Sequence, residues 1–204
     1  MGRPTFDARL GLGTRAHDEP VDEQVMLQSQ LQHVAGSRVV FLHGDVTEQA
    51  IAGVIAQLLS LATISTKPIH LVLSTYGGSI DEMFSLYDTI KFLPAPVYTV
   101  ALGKVMSAGV LLLASGAKGK RLIGASSRVM IHPVSGGALG NVFEVENQTK
   151  EMRALHDRMV AMLAKETKMK RKFLEDAVMK RKVDHFVTPE QAIELGIADK
   201  VIGA

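Results

Sequence analysis

The segment 92–117 constrains this chain more than any other, because it is long, apolar and carries a single charge, Lys104. It is too apolar to lie on a surface. It is also too broken to cross a bilayer: Pro94, Pro96, Gly103 and Gly109 cut it into pieces shorter than the roughly 20 apolar residues that a spanning helix needs. It therefore belongs in a core. Pro96-Val97-Tyr98-Thr99-Val100-Ala101 is rich in β-branched residues and predicts a strand. Residues 110–115, closed by Gly116, predict a short buried helix with a glycine stop. Between them, residues 102–109 read as a glycine-bracketed turn with Ser107 at the step from strand to helix. Two roles are open for Ser107. One is a plain N-cap. The other is a nucleophile near the positive end of the helix, where backbone N–H groups also favour a developing oxyanion.

The flanking sequence supplies the rest of a layered core. Residues 38–42 predict a strand. Asp45-Val46-Thr47-Glu48 has capping-box spacing, and Ile51, Val54, Ile55, Leu58 and Leu59 then fall on one helical face. Residues 69–74 predict a second strand, apolar on both faces, as in a parallel sheet covered by helices. After the turn Thr75-Tyr76-Gly77-Gly78-Ser79, the pair Ser79 and Glu82 opens a helix with Met83, Leu86, Tyr87 and Ile90 on one side. Pro94 and Pro96 end it. This order, strand–helix–strand–helix–strand, puts the loop glycines at the carboxyl ends of strands, the edge where open α/β folds bind ligands.

Two short strands follow at 120–123 and 128–131, the second running into His132-Pro133 and then Gly136-Gly137-Ala138-Leu139-Gly140. One long helix is predicted from Asn141 to about Met169, with a stripe of Val145, Met152, Leu155, Met159, Val160 and Leu163. A further helical piece at 173–179, an extended segment at 183–187, a capped helix at Thr188-Pro189-Glu190-Gln191 and a strand around Val201-Ile202 complete the chain. Residues 1–35 predict an arm and the start of a short helix (21–34), and residues 36–204 one domain.

Composition removes several classes of function. With 204 residues, 47% of them hydrophobic, the chain can bury one sizeable core. A net charge of +2 makes no case for nucleic acid or an anionic membrane. The absence of cysteine removes disulfides, thiolate catalysis and cysteine-ligated metals. The first residues lack the apolar stretch of a signal peptide. A serine nucleophile, the second of the roles open to Ser107, needs a base, an orienting acid and oxyanion donors. Among seven histidines, His132 is the best candidate base, since it ends an apolar strand beside Pro133 and a glycine-rich stretch. His43, before Gly44 at another strand end, is its nearest rival. Asp184, a carboxylate in an otherwise apolar extended segment, is the candidate acid. The N–H groups of Gly78 and Ala108 are the candidate oxyanion donors. Each has a plain structural alternative: a strand-end imidazole bonded to a carbonyl, a surface aspartate, a tight turn.

Several of these motifs occur together. Gly77-Gly78-Ser79, Gly103-Lys104-Val105-Met106-Ser107-Ala108-Gly109, Ala117-Lys118-Gly119-Lys120-Arg121, Ser127-Arg128-Val129-Met130-Ile131-His132 and Thr188-Pro189-Glu190-Gln191-Ala192 resemble, in order and spacing, ClpP, the proteolytic subunit family of the ATP-dependent Clp protease. The resemblance spans residues 37–202. It implies an α/β, crotonase-like fold of repeated β-β-α units with a long handle helix at about 133–170. It also implies a serine endopeptidase with Ser107 as nucleophile, His132 as base, Asp184 as acid and Gly78 and Ala108 as oxyanion donors, with no metal. The family assembles as two stacked seven-membered rings that enclose a chamber for unfolded polypeptide. An AAA+ unfoldase docks on the ring and hydrolyses ATP, so this chain itself needs no cofactor. The N-terminal arm would line the axial pore, and the implied setting is the cytoplasm of a bacterial or bacterial-type cell, with neither nucleic acid nor membrane as partner.

The chain departs from the family pattern at Pro133-Val134, Ala108, Tyr76 and Lys182-Val183, and at His70 and Val72 on the docking strand. These departures motivate a second reading, a weakly active or structural ring subunit that works with a ClpP paralogue. An acyl-CoA enzyme of the crotonase superfamily is a third. The basic run at 165–182 reads as a solvated face or as a site for a charged partner. The ten methionines read as adaptable packing at helix or subunit contacts.

Overall fold

The structure is a computed structural model that describes residues 36–179 and 184–203. The arm expected at 1–35, with its helix at 21–34, lies outside the described residues, as do Lys180, Arg181, Lys182 and Val183. The chain divides between Ser37 and Arg38, and the unit from Arg38 onward carries the elements that follow.

Strands β1 (Val39–His43), β2 (Ile69–Thr75), β3 (Val97–Met106), β4 (Leu122–Gly124) and β7 (Lys200–Ile202) lie side by side in that order. Every one of these pairs is parallel. Helices α1 (Glu48–Ile64) and α2 (Ile80–Phe92) join the first three strands, and α3 (Ala108–Ala114) follows β3 directly. β5 (Arg128–Ile131) pairs in parallel with the end of β3, and β6 (His185–Val187) pairs antiparallel with β5. The long helix α4 (Val142–Glu166) is followed by α5 (Arg171–Phe173), a π-helical turn (Leu174–Met179), and α6 (Pro189–Glu194) before β7. This is the α/β class expected, with a mainly parallel sheet and one long helix. No helix among the described residues is long and apolar enough to cross a membrane.

Caps set the helix starts. Thr47, not Asp45, caps α1: its Oγ1 accepts from the Ala50 N–H at 3.3 Å. Ser79 does the same for α2 with Glu82. Asn141 and Glu144 form a reciprocal capping box at α4, and Thr188 with Gln191 forms another at α6, where Pro189 takes the first helical turn.

The core lies between the sheet and the first three helices. Ile51, Val54 and Leu58 of α1 are buried with Met83, Leu86, Tyr87 and Ile90 of α2, and every residue of α3 is buried. Leu59, expected on the inner face of α1, is exposed, and Leu61 takes the inner place. β2 alternates strictly. Ile69, Leu71, Leu73 and Thr75 are buried, whereas His70, Val72 and Ser74 are half-buried, so helices cover one face of this strand rather than both. α4 departs further from expectation. Met159, Val160 and Leu163 are buried, but Val145, Met152 and Leu155 of the predicted stripe are only half-buried. At its start Val142 and Phe143 are exposed, because none of the described residues covers these side chains.

The end of α4 is pinned by ionic contacts. The buried Glu166 carboxylate accepts from the Tyr87 hydroxyl at 2.6 Å and pairs with Lys91 at 3.0 Å and Lys118 at 3.2 Å. Burial pushes this carboxyl up, but the hydrogen bonds from Tyr87, Lys91 and Lys118 outweigh it and hold it below the usual carboxylate range. Beside it the buried Arg121 guanidinium donates to both oxygens of Asp199, at 2.8 and 2.5 Å, and to the Glu166 carbonyl at 3.0 Å. These bonds hold the Asp199 carboxyl down at about 2.

Candidate active site

Strand register gathers three loops at one edge of the sheet. Met106 lies beside Met130 in the β3–β5 pair, and the Ser107 N–H donates to the Met130 carbonyl at 2.8 Å. Ser107 is thus the first residue past β3 and His132 the first past β5, on parallel neighbours. Their side chains meet, with Oγ of Ser107 and Nε2 of His132 2.8 Å apart. Thr75 of β2 lies beside Val105, so the glycine turn leaves β2 at the same edge.

Ser107 has φ 53° and ψ −122°. Such a conformation in a non-glycine residue costs on the order of 1–3 kcal/mol and persists only where the surroundings impose it. Here β3 does not end in a loose turn. It continues through Gly103 to Met106, because β5 offers pairing partners to Lys104, Val105 and Met106. The chain must then reverse within one residue to begin α3. Ser107 occupies the cap position of α3, yet its side chain accepts no capping hydrogen bond. The hydroxyl is committed to the imidazole instead.

The glycine turn is built for close approach. A Cβ at Gly77 would lie 2.6 Å from the Ser107 Cβ, and φ there is +103°. A Cβ at Gly78 would lie 2.4 Å from the Val46 carbonyl oxygen. Val46 clamps the turn from behind: its N–H donates to the Gly77 carbonyl, and its carbonyl accepts from the Ser79 N–H, both at 2.8 Å. The Thr75 hydroxyl accepts from the Gly77 N–H at 2.9 Å. Within the described residues the N–H groups of Gly78 and Ala108 donate to no acceptor, so both stay available beside the serine.

Asp184 is near the pair but not joined to it. Ile131 lies opposite His185 in the β5–β6 ladder, and one further step sets Asp184 next to His132. Its side chain is exposed. Among the described residues it makes no hydrogen bond or ion pair. His43, the rival base, is exposed at the end of β1 and hydrogen-bonds no side chain among the described residues. A cleft of about 180 Å³ opens on Ser107, His132, Gly78 and Ala108. Its apolar walls come from Ile80 and Met83 of α2, Val134, and Met159 of α4. Among the described residues no three His, Asp or Glu side chains converge closely enough to hold a metal ion.

The segment after His132 runs along α4. The Val134 N–H donates to Nδ1 of His156 at 3.4 Å. A side chain at Gly136 would touch Met152. Leu139 exchanges two hydrogen bonds of 3.2 Å with the Gln148 amide. The sequence assigns no role in the site to Val46, Thr75 or His156. A threonine two residues before a glycine is a usable turn signal, but nothing local marks Val46 or a mid-helix histidine.

Residues 22–204 match the family model described as Clp protease.

Proposed function

Because the chain belongs to the Clp protease family and is therefore a peptidase, we propose that it cleaves polypeptides with Ser107 as nucleophile and His132 as general base. The observation that carries this reading is the 2.8 Å contact between Ser107 Oγ and His132 Nε2. It is made at a strained strand-to-helix step that a simple cap would not need.

In the proposed reaction His132 Nε2 accepts the Ser107 proton as Oγ bonds to the peptide carbonyl carbon. The carbonyl oxygen takes the negative charge and is held by the N–H groups of Gly78 and Ala108. The C–N bond then breaks, and His132 returns the proton to the leaving amine. Water, deprotonated by the same imidazole, attacks the acyl ester; the bond to Oγ then breaks, His132 returns the proton to Oγ, and the carboxylic acid is freed. Asp184 is the proposed acid that orients His132 through Nδ1. Metal and cofactor play no part in the proposed steps, and ATP hydrolysis would belong to an AAA+ unfoldase partner. The working form would be a stacked-ring assembly in a bacterial-type cytoplasm.

The test is labelling with a serine-reactive fluorophosphonate at neutral pH. An adduct on Ser107, lost in Ser107→Ala, is the expected result. An assembled protein that stays unlabelled would sink the proposed triad. A second reading draws on Asp184, which lacks a bond to His132 among the described residues: a weakly active ring subunit that is completed by a paralogue. Activity appearing only in a mixture with a second ClpP-like chain would favour it.

A further inference from the structure

We propose that His156 is a positioning residue for His132, and that it holds the segment after the base only as the neutral imidazole. The inference rests on the peptidase reading above. Proline has no N–H, so after His132 and Pro133 the first backbone donor is the N–H of Val134. Among the described residues it donates to no carbonyl. Its acceptor is Nδ1 of His156, at 3.4 Å, on the half-buried side of α4.

Beyond Val134 the next ties are the exposed pair between Leu139 and Gln148. Within the described residues Ser135, Gly136, Gly137 and Ala138 make no backbone hydrogen bond. His156 is thus the near anchor of the segment that leads away from the base. One turn further along, Met159 walls the cleft, so the same helix shapes the pocket and holds the loop. A loop released here moves the imidazole, and a shift of about 1 Å in a reacting group costs roughly 100-fold in rate.

The contact depends on protonation. A neutral imidazole presents one acceptor nitrogen, and an imidazolium presents two donors. Protonated His156 would set an N–H against the Val134 N–H, and the bond would be lost. Imidazoles change charge between about pH 5 and pH 8. Among the described residues the charged groups on the elements around His156 are the following. On α4, within a turn of it, they are Arg153, Asp157 and Arg158. Asp157 pairs with Arg171 of α5, and Arg158 stacks over Phe84 of α2. α3 carries no ionisable side chain, and the segment itself brings only His132. Glu175 on the π-helical turn is paired with Arg171, and Asp176 lies on the same turn. Among the described residues His156 itself makes no ion pair.

The test uses the full assembled chain and a fluorogenic peptide, with kcat and KM followed from about pH 5 to about pH 8. The expected wild-type acid limb of kcat is steeper than one protonation allows, with a slope between about one and about two, because breaking the His156 contact adds its partial loss to the loss of the base. His156→Asn puts a non-titrating carbonyl near the Nδ1 position. It should keep neutral-pH kcat within about threefold and reduce the slope to about one. His156→Leu should lower kcat about ten- to hundredfold at every pH with KM nearly unchanged. A leucine variant with wild-type kcat, or an asparagine variant with the wild-type slope, would overturn the proposal. A second readout needs no activity. In 15N-valine-labelled His132→Gln protein, which removes the other nearby imidazole, the Val134 amide should shift with pH and stop doing so once His156→Asn is added. An amide indifferent to pH overturns the proposal. Failure of the peptidase reading would show instead as an unlabelled Ser107, with the amide titration still deciding the role of His156.

Discussion

Ser107 concentrates the conflict between stability and chemistry in one residue. Its left-handed φ is the consequence of a strand that stays paired up to Met106 and a helix that starts at Ala108. Ser107→Gly relieves that strain and removes the hydroxyl. It should raise unfolding stability by about 1 kcal/mol, the strain of a non-glycine residue less glycine's entropic cost, while abolishing peptide cleavage. Calorimetry beside a peptidase assay checks both halves. Tyr87 is a second residue whose hydroxyl can be tested separately from its ring. Its hydroxyl donates to the buried Glu166 carboxylate at 2.6 Å, and its phenol is pushed up by burial and by that bond. Tyr87→Phe should cost about 1.5–3 kcal/mol of unfolding free energy, the usual worth of a hydrogen bond to a charged group. Chemical denaturation measures it.

Each element carries a share of the site. β3 is the element on which the site depends: its first half pairs with β4 and its second half with β5, so one strand joins the main sheet to the strand that delivers His132. α4 has two unlike ends. Its last turns are fixed through Met159, Val160, Leu163 and Glu166. Its first turn leaves Phe143 76% exposed, next to Leu139 at 90%. Val142, at 69%, extends this exposed apolar run at the helix start. If the first turns of α4 serve as the ring-joining handle, Phe143→Glu should shift the protein to smaller species in sedimentation while circular dichroism stays unchanged. An assembly that keeps its full size would speak against that role.

At the scale of the whole molecule, acid should act through the ion pair that closes the fold. Asp199 sits just before β7 and is held by Arg121, which also binds the Glu166 and Gly196 carbonyls. Its carboxyl is lowered from 3.8 to about 2. A lowered carboxyl binds fewer protons folded than unfolded, so its contribution is complete above about pH 4 and is lost as pH falls toward 2. The shift corresponds to about 2 kcal/mol. Urea unfolding at a series of pH values between about 5 and 2 should show that loss, and Arg121→Met should abolish this part of the pH dependence.

The element order, the α/β class and the burial of α3 were legible in the sequence because they follow from local chemistry. Prolines and glycines break segment 92–117, capping residues stand at Ser79 and Thr188, and Leu111, Leu112 and Leu113 have nowhere to go but inside. The candidates Ser107 and His132 were legible too, because both sit where an apolar strand runs out. Tertiary structure alone decided how they relate. The register of β3 on β5 puts them 2.8 Å apart, and register is set by pairing between segments that carry no mark of one another. The same holds for Val46 behind Gly78 and for His156 beneath Val134. Each is a contact across the fold, and its physical cause is the packing that brings distant segments of chain together.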